Sequence, residues 1–267
     1  MPTDYRKLKQ PLKGRGTSHS ALKTFDQPCK LPVYFTKVLR MQPDFGFASE
    51  RGNKIHLEGE HFLKGDIPKP TKAFELFESE MLSLKKLKAV PELSIAVNKN
   101  WEETDYDQYN RTGRVLFRAK FDACVVTSVK KTKTLNIIDY KTGGIYEDHE
   151  QQAETYAAIA VAHFPEVDLI CVEFWYLDFQ EGARKFADHD TALGESPFLF
   201  TRKDAIKAAQ SLRKRALKFD GAKMSDLKEA KVNIQNCGFC KFRSDVKLAD
   251  GSDGPCEKYR LLYEDEE

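Results

Sequence analysis

Residues 135–143 read LNIIDYKTG. Leu135, Ile137 and Ile138 form an apolar, β-branched run that predicts a strand, and the run delivers Asp139 and Lys141 with one residue between them. Period-two geometry puts both side chains on the same face. A carboxylate there can hold a divalent cation, while a neighbouring ammonium can orient water or stabilise the charge of a pentavalent phosphorane. Taken alone the pair has a plain alternative, surface ion pairing, because 31% of this chain is charged.

The flanks add weight. Seventeen residues upstream, Asp122 stands alone inside FRAKFDACVV, residues 117–126, an otherwise strand-forming run. A charge in such a run is costly without a ligand or partner, so a second metal-binding carboxylate is the economical reading. Two carboxylates facing one pocket make an oxygen-rich site suited to Mg²⁺ or Mn²⁺ rather than zinc. Periodicity extends the pattern outward. Helices are predicted over residues 50–63, 71–88, 150–164 and 202–219, and strands over 93–97, 115–129, 135–140 and 169–179, with a further strand around 185–187 after a turn. The order β-β-β-α-β implies an α/β fold, a small mixed sheet flanked by helices.

Several separate segments resemble the RecB-like nucleases of the PD-(D/E)XK superfamily, a set that includes AddB-type, CRISPR-adaptation and phage enzymes. GNKIH at residues 52–56 is similar to the motif whose His joins the metal site. Phe121 and Asp122 match the first acid, with Phe121 where the nominal pattern has Pro. Asp139, Tyr140 and Lys141 match the D-x-K core, with Asp139 in place of the more usual Glu. QAETY at residues 152–156 matches a Q-x-x-x-Y helix, its Gln and Tyr one turn apart on one face. The resemblance covers residues 21–256 and implies a restriction-endonuclease-like core. It further implies that Asp122, Asp139 and the Tyr140 carbonyl coordinate the metal, that His56 adds a ligand, and that Lys141 activates the attacking water. Gln152 and Tyr156 then support the site or touch phosphate. Taken alone, His56 reads as a half-buried structural residue and Tyr156 as core. Glu92, in Pro-Glu-Leu before a strand, is weighed as an auxiliary acid and left out.

Six cysteines in an intracellular-type composition argue against a disulfide framework. Cys237 and Cys240 lie in CGFC, and Cys256 follows in a Gly-containing segment. With Cys29 they match the one-plus-three layout that, in part of the resembling family, closes a [4Fe–4S] cluster and joins the two ends. Zn²⁺ is the alternative, and the gap from Cys240 to Cys256 is longer than the family's usual one. Cys124 and Cys171, inside strand patterns, read as core.

Charge is distributed unevenly. Formal net charge is only +2, but residues 1–40 carry nine Lys or Arg against Asp4 and Asp26. The expected organisation is a basic flexible arm at residues 1–20, one nuclease domain at 21–260 that includes the cysteine segment 231–260, and an acidic tail at 261–267. A second basic run, through Arg202, Lys203, Lys207, Arg213, Lys214, Arg215 and Lys218, is either a solvated helix face or a phosphate contact. No apolar run reaches membrane length and no signal-peptide pattern appears, so a cytoplasmic protein is expected, in a host cytoplasm if phage-encoded. The resemblance implies a DNA exonuclease of recombination, repair or phage DNA metabolism. A CRISPR adaptation nuclease and a non-catalytic DNA-binding module are the alternatives. No G-x-x-x-x-G-K-[ST] is present, so any unwinding has to come from a partner such as a helicase or recombination protein.

Overall fold

A computed structural model describes residues 8–44, 46–107, 114–143, 148–178, 197–228, 237 and 240–257. Their centre is a six-stranded mixed sheet in the order β2-β1-β3-β4-β5-β6. The strands are β1 (Val90–Val97), β2 (Glu103–Thr104), β3 (Phe117–Val129), β4 (Thr132–Lys141), β5 (Leu169–Tyr176) and β6 (Phe198–Thr201). All neighbours are antiparallel except β4 and β5, which run parallel because α5 (Asp148–His163) crosses between them. Such a crossover requires its own helical layer, and the Ala-rich sequence of α5 suits close packing on the sheet: Ala153, Ala157, Ala158 and Ala160 are all buried.

Apolar residues on the two sheet faces gather into two cores. One joins Leu135 and Ile137 to α5, α1 (His19–Asp26) and α6 (Arg202–Asp220). The other joins Ile138, Tyr140 and Trp175 to α3 (Gly46–Lys64), a 3₁₀ turn (Lys72–Phe77) and α4 (Glu78–Lys86). The expected helix at 71–88 is thus split at Phe74, whose backbone leaves helical geometry. Phe74, Met81 and Leu84 still point inward while Leu87 is exposed. Helix α6 starts at a reciprocal cap, Thr201 accepting from the Asp204 N–H and Asp204 from the Thr201 N–H. The short α2 (Leu31–Val33) runs into a π-helical turn (Tyr34–Val38), and α7 (Met224–Leu227) closes the described helices.

The strand expected around 185–187 lies outside the described residues, as do residues 1–7 and the tail at 261–267; β6 was not anticipated. Residues 8–20, expected as part of a flexible arm, are instead packed down. Leu12 is fully buried, the Thr17 N–H donates to the Leu116 carbonyl, and the Gly14 N–H donates to the buried carboxylate of Asp220. That carboxylate also receives Lys99 Nζ, and a buried acid needs such donors. At the other end, the chain around Cys240 and Cys256 folds against the π-helical turn through Phe35, Phe242 and Leu248. Gly254 permits this: a Cβ there would sit 2.1 Å from the Arg243 carbonyl oxygen.

Candidate active site

The site lies where the sheet forks. Strands β3 and β4 pair from Val129↔Thr132 to Ala123↔Ile138 and then part. Beyond that point β3 continues on β1, to Val97↔Phe117, while β4 continues on β5 through Asp139↔Phe174, Tyr140↔Trp175 and Lys141↔Tyr176. Asp122 stands at the fork and replaces the lost ladder: its Oδ2 accepts the Tyr140 backbone N–H at 2.6 Å. A strand residue directs its N–H and C=O to the same side, so the Tyr140 carbonyl also faces this gap.

Asp139 and Lys141 share a face, as period two requires, and α5 lays Gln152 and Tyr156 over them. Asp139 Oδ1 lies 2.7 Å from Lys141 Nζ. Its Oδ2 accepts the Tyr156 hydroxyl at 2.5 Å and Gln152 Nε2 at 3.0 Å. Gln152 Oε1 accepts Lys141 Nζ at 3.0 Å, closing a ring of four side chains. Tyr140 points the other way. Its ring packs edge-on against Phe74 and its hydroxyl reaches Met81 Sδ at 3.6 Å. On the same side α3 brings His56, whose Nδ1 lies 2.9 Å from Asp122 Oδ1.

Glu92 completes the row. The register of β1 on β3 runs Pro91↔Ala123 and Leu93↔Phe121, which sets Glu92 directly across from Asp122. Both strands change facing there: Leu93 and Phe121 belong to the α5-side core, Ala123 to the other, and Glu92 has φ +54. Ligand atoms of His56, Glu92 and Asp122 all fall within 4.8 Å of one another. Glu92 also pairs with Lys120. The sequence reading set Glu92 aside. In sequence it stands just before the expected strand, and only the register of β1 on β3 brings it to Asp122.

Asp122 and Asp139 are 7% and 5% exposed. Burial, and then the nearby charge of Asp139, raise the Asp122 pKa from 3.8 to about 6, against the opposing pull of His56 and the Tyr140 N–H. Burial by itself would lower the His56 pKa, but the hydrogen bond and charge of Asp122, with Asp139 and Glu92 behind, leave it raised. Burial followed by Asp139 pushes the Tyr156 phenol well up, keeping it a neutral donor. The imidazole of His56 with the carboxylates of Glu92 and Asp122 makes a donor set, rich in oxygen, that fits a divalent cation such as Mg²⁺ or Mn²⁺.

The other cysteines separate as their surroundings dictate. Burial drives the Cys124 and Cys171 thiols up to about 12, leaving them inert core residues. Cys29, Cys237, Cys240 and Cys256 are not joined in disulfides. The Cys240 thiol is raised first by burial and then by Cys256, Cys29 and Cys237, against a hydrogen bond from the Phe242 backbone, so the other three lie near enough to act on Cys240.

Paired acids at a sheet fork, with a lysine two residues past the second, are the arrangement of a metal-dependent phosphodiesterase. The family model of the PD-(D/E)XK nuclease superfamily matches residues 17–244, and the chain belongs to that superfamily. It is a nuclease by family, and its α/β core is the expected one. No curated protein matches the chain. Among the described residues, no helix is long and apolar enough to cross a membrane.

Proposed function

We propose that this chain is a RecB-like, metal-dependent DNA exonuclease. The observation that carries the reading is the closed ring of Asp139, Lys141, Gln152 and Tyr156 beside Asp122, since it holds charge and proton donors where a phosphodiester can be attacked. Asp122, Asp139, the Tyr140 carbonyl and His56 are the groups that would hold the cation, with Glu92 across from them. When bound, the cation lowers the pKa of a water and offsets the charge gathering on the phosphate.

The side chains do the rest. Lys141, oriented by Asp139 and Gln152, positions the attacking water and stabilises the developing negative charge. Tyr156 and Gln152 occupy Asp139 Oδ2 as donors, which fixes the carboxylate's orientation, and His56 does the same for Asp122 from the opposite helix. The resemblance to RecB-like enzymes favours cutting at ends or along single strands. A helicase or recombination protein would supply unwound DNA.

Cys29, Cys237, Cys240 and Cys256 supply four soft donors, the number a [4Fe–4S] cluster or a zinc ion takes. We assign them to the cluster. Its work is structural, tying the segment before α2 to the C-terminal segment.

The test is degradation of end-labelled single- and double-stranded DNA with Mg²⁺ or Mn²⁺ by protein purified without oxygen, wild type against Lys141→Ala. Loss of a developing-charge partner is worth at least about 10²-fold in rate. Absence of metal-dependent cutting by the wild type, with DNA still bound, would replace this reading with that of a non-catalytic binding module.

A further inference from the structure

Helix α5 carries Gln152 and Tyr156 at the site, and its C-terminal half forms the floor of a groove of about 300 Å³ between α6 and the turn joining β1 to β2. Val161 lies nine residues past Gln152, about 13 Å along the helix. The groove has a mixed lining: Trp101 and Ile206 offer apolar surface, Asn100 and Gln210 offer amides, and Arg202 and Arg213 lie along the α6 wall. No carboxylate lines it. The two arginines are eleven residues apart on α6, about 16 Å, and each is held by a backbone carbonyl: Arg202 by that of Pro165, Arg213 by that of Lys99.

Trp101 packs partly on the α5-side core, its ring centroid 6.1 Å from that of Phe117, and also lines the groove. Its φ is +68, a region that bulky residues avoid, and the turn is closed by Asn98, whose Oδ1 accepts the N–H groups of Asn100 and Glu102. The indole N–H donates to the Ala158 carbonyl at 2.9 Å, fixing the ring while leaving it half-buried at the groove. The exposed Lys203, Lys207 and Lys214 continue the positive face of α6 outside the groove.

We infer that this groove holds a single strand of DNA remote from the cut, a base lying against Trp101 and the backbone phosphates on Arg202 and Arg213. Charge complementarity selects the occupant: cations spaced over several nucleotide lengths and an aromatic face between them suit a polyanion whose bases are exposed. The inference rests on the DNA reading of the site and names where else the strand is gripped. It also gives the basic run on α6 a partner.

The experiment titrates the Lys141→Ala protein with a short oligothymidylate and follows tryptophan emission. Trp175 is only 4% exposed and stacked on Phe77, so quenching reports on Trp101. We expect quenching on binding, affinity about tenfold weaker in Trp101→Ala, and a shallower salt dependence in the Arg202→Glu, Arg213→Glu double variant. Trp101→Phe should recover most of the affinity while losing the signal, which separates stacking from a folding defect. Unchanged affinity in Trp101→Ala together with unchanged emission overturns the inference. So does equal displacement by poly-glutamate, which would make an acidic protein segment the occupant. Lys141-dependent cutting by the wild type is scored separately, so a cutting enzyme with an indifferent groove rejects the groove alone, and a groove that binds without any cutting rejects only the catalytic reading.

Discussion

The sharpest consequence of the fork is that Asp122 costs the metal-free protein stability. Its pKa is raised from 3.8 to about 6 by burial and by Asp139. A carboxyl whose folded pKa lies above its unfolded value favours folding while protonated. That stability is full below about pH 4 and is lost as the pH rises through about 6. At pH 8 the rise from 3.8 to about 6 corresponds to about 3 kcal/mol, and at pH 4 to under about 1 kcal/mol. Asp122→Asn keeps the shape, can still accept the Tyr140 N–H and removes the charge. In a chelator, the variant should therefore gain on the wild type by about 2 kcal/mol between pH 4 and pH 8, an increase of about 5 °C in the difference between their melting temperatures for a chain of this size. Comparing the two proteins at each pH cancels the titrating groups remote from Asp122 and leaves its cluster with His56 and Asp139 as the source of the difference. Adding Mn²⁺ should then reverse the order, because a cation that binds the folded wild type stabilises it by mass action. A melting-temperature difference that stays flat with pH, or a variant that loses ground at pH 8, would refute the argument that the paired acids are strained without a cation.

Three further outcomes follow from other parts of the molecule. Gly59→Ala would place a Cβ 2.6 Å from Tyr140 Cε2 and 3.0 Å from Phe74 Cζ; both rings are fully buried, so urea titration should show a net loss of about 1–2 kcal/mol despite alanine's better helix propensity. Lys130 and Lys131 form the two-residue β3–β4 turn with φ of +48 and +73, so Lys130→Asn with Lys131→Gly should raise the unfolding free energy read from a denaturant titration by about 1–2 kcal/mol. Cys29→Ser should abolish the visible absorbance and bound iron of anaerobically purified protein and loosen residues 240–257 in hydrogen exchange, and stoichiometric iron retained in that variant would end the cluster assignment.

The catalytic strand was legible because its signals are local. Alternation in residues 135–141 puts Asp139 and Lys141 on one face, and the four-residue spacing of Gln152 and Tyr156 puts both over it. Asp122 was legible for a different reason, the cost of a charge in an apolar strand. Glu92 was not, because its importance arises from register: only the pairing of β1 with β3 sets it across from Asp122. Strand β6 escaped notice because four residues, Phe198–Thr201, offer too few alternations to distinguish a strand from a loop. The packed residues 8–20 look polar and turn-rich in sequence, and what anchors them is the buried Asp220, more than 200 positions away. The π-helical turn at Tyr34–Val38 has no local signature at all.

The fork also has a mechanical meaning. Above Ala123 and Ile138, a pair of strands in one half of the sheet and three in the other are no longer laced by backbone ladder bonds, and the carboxylate of Asp122 spans the gap to the Tyr140 amide. A cation gripped by Asp122 on one half and Asp139 on the other would act as a rivet through this seam. The angle between the two leaves of the sheet, and with it the width of the opening that admits a phosphodiester, would then be set by the same ion that drives its hydrolysis.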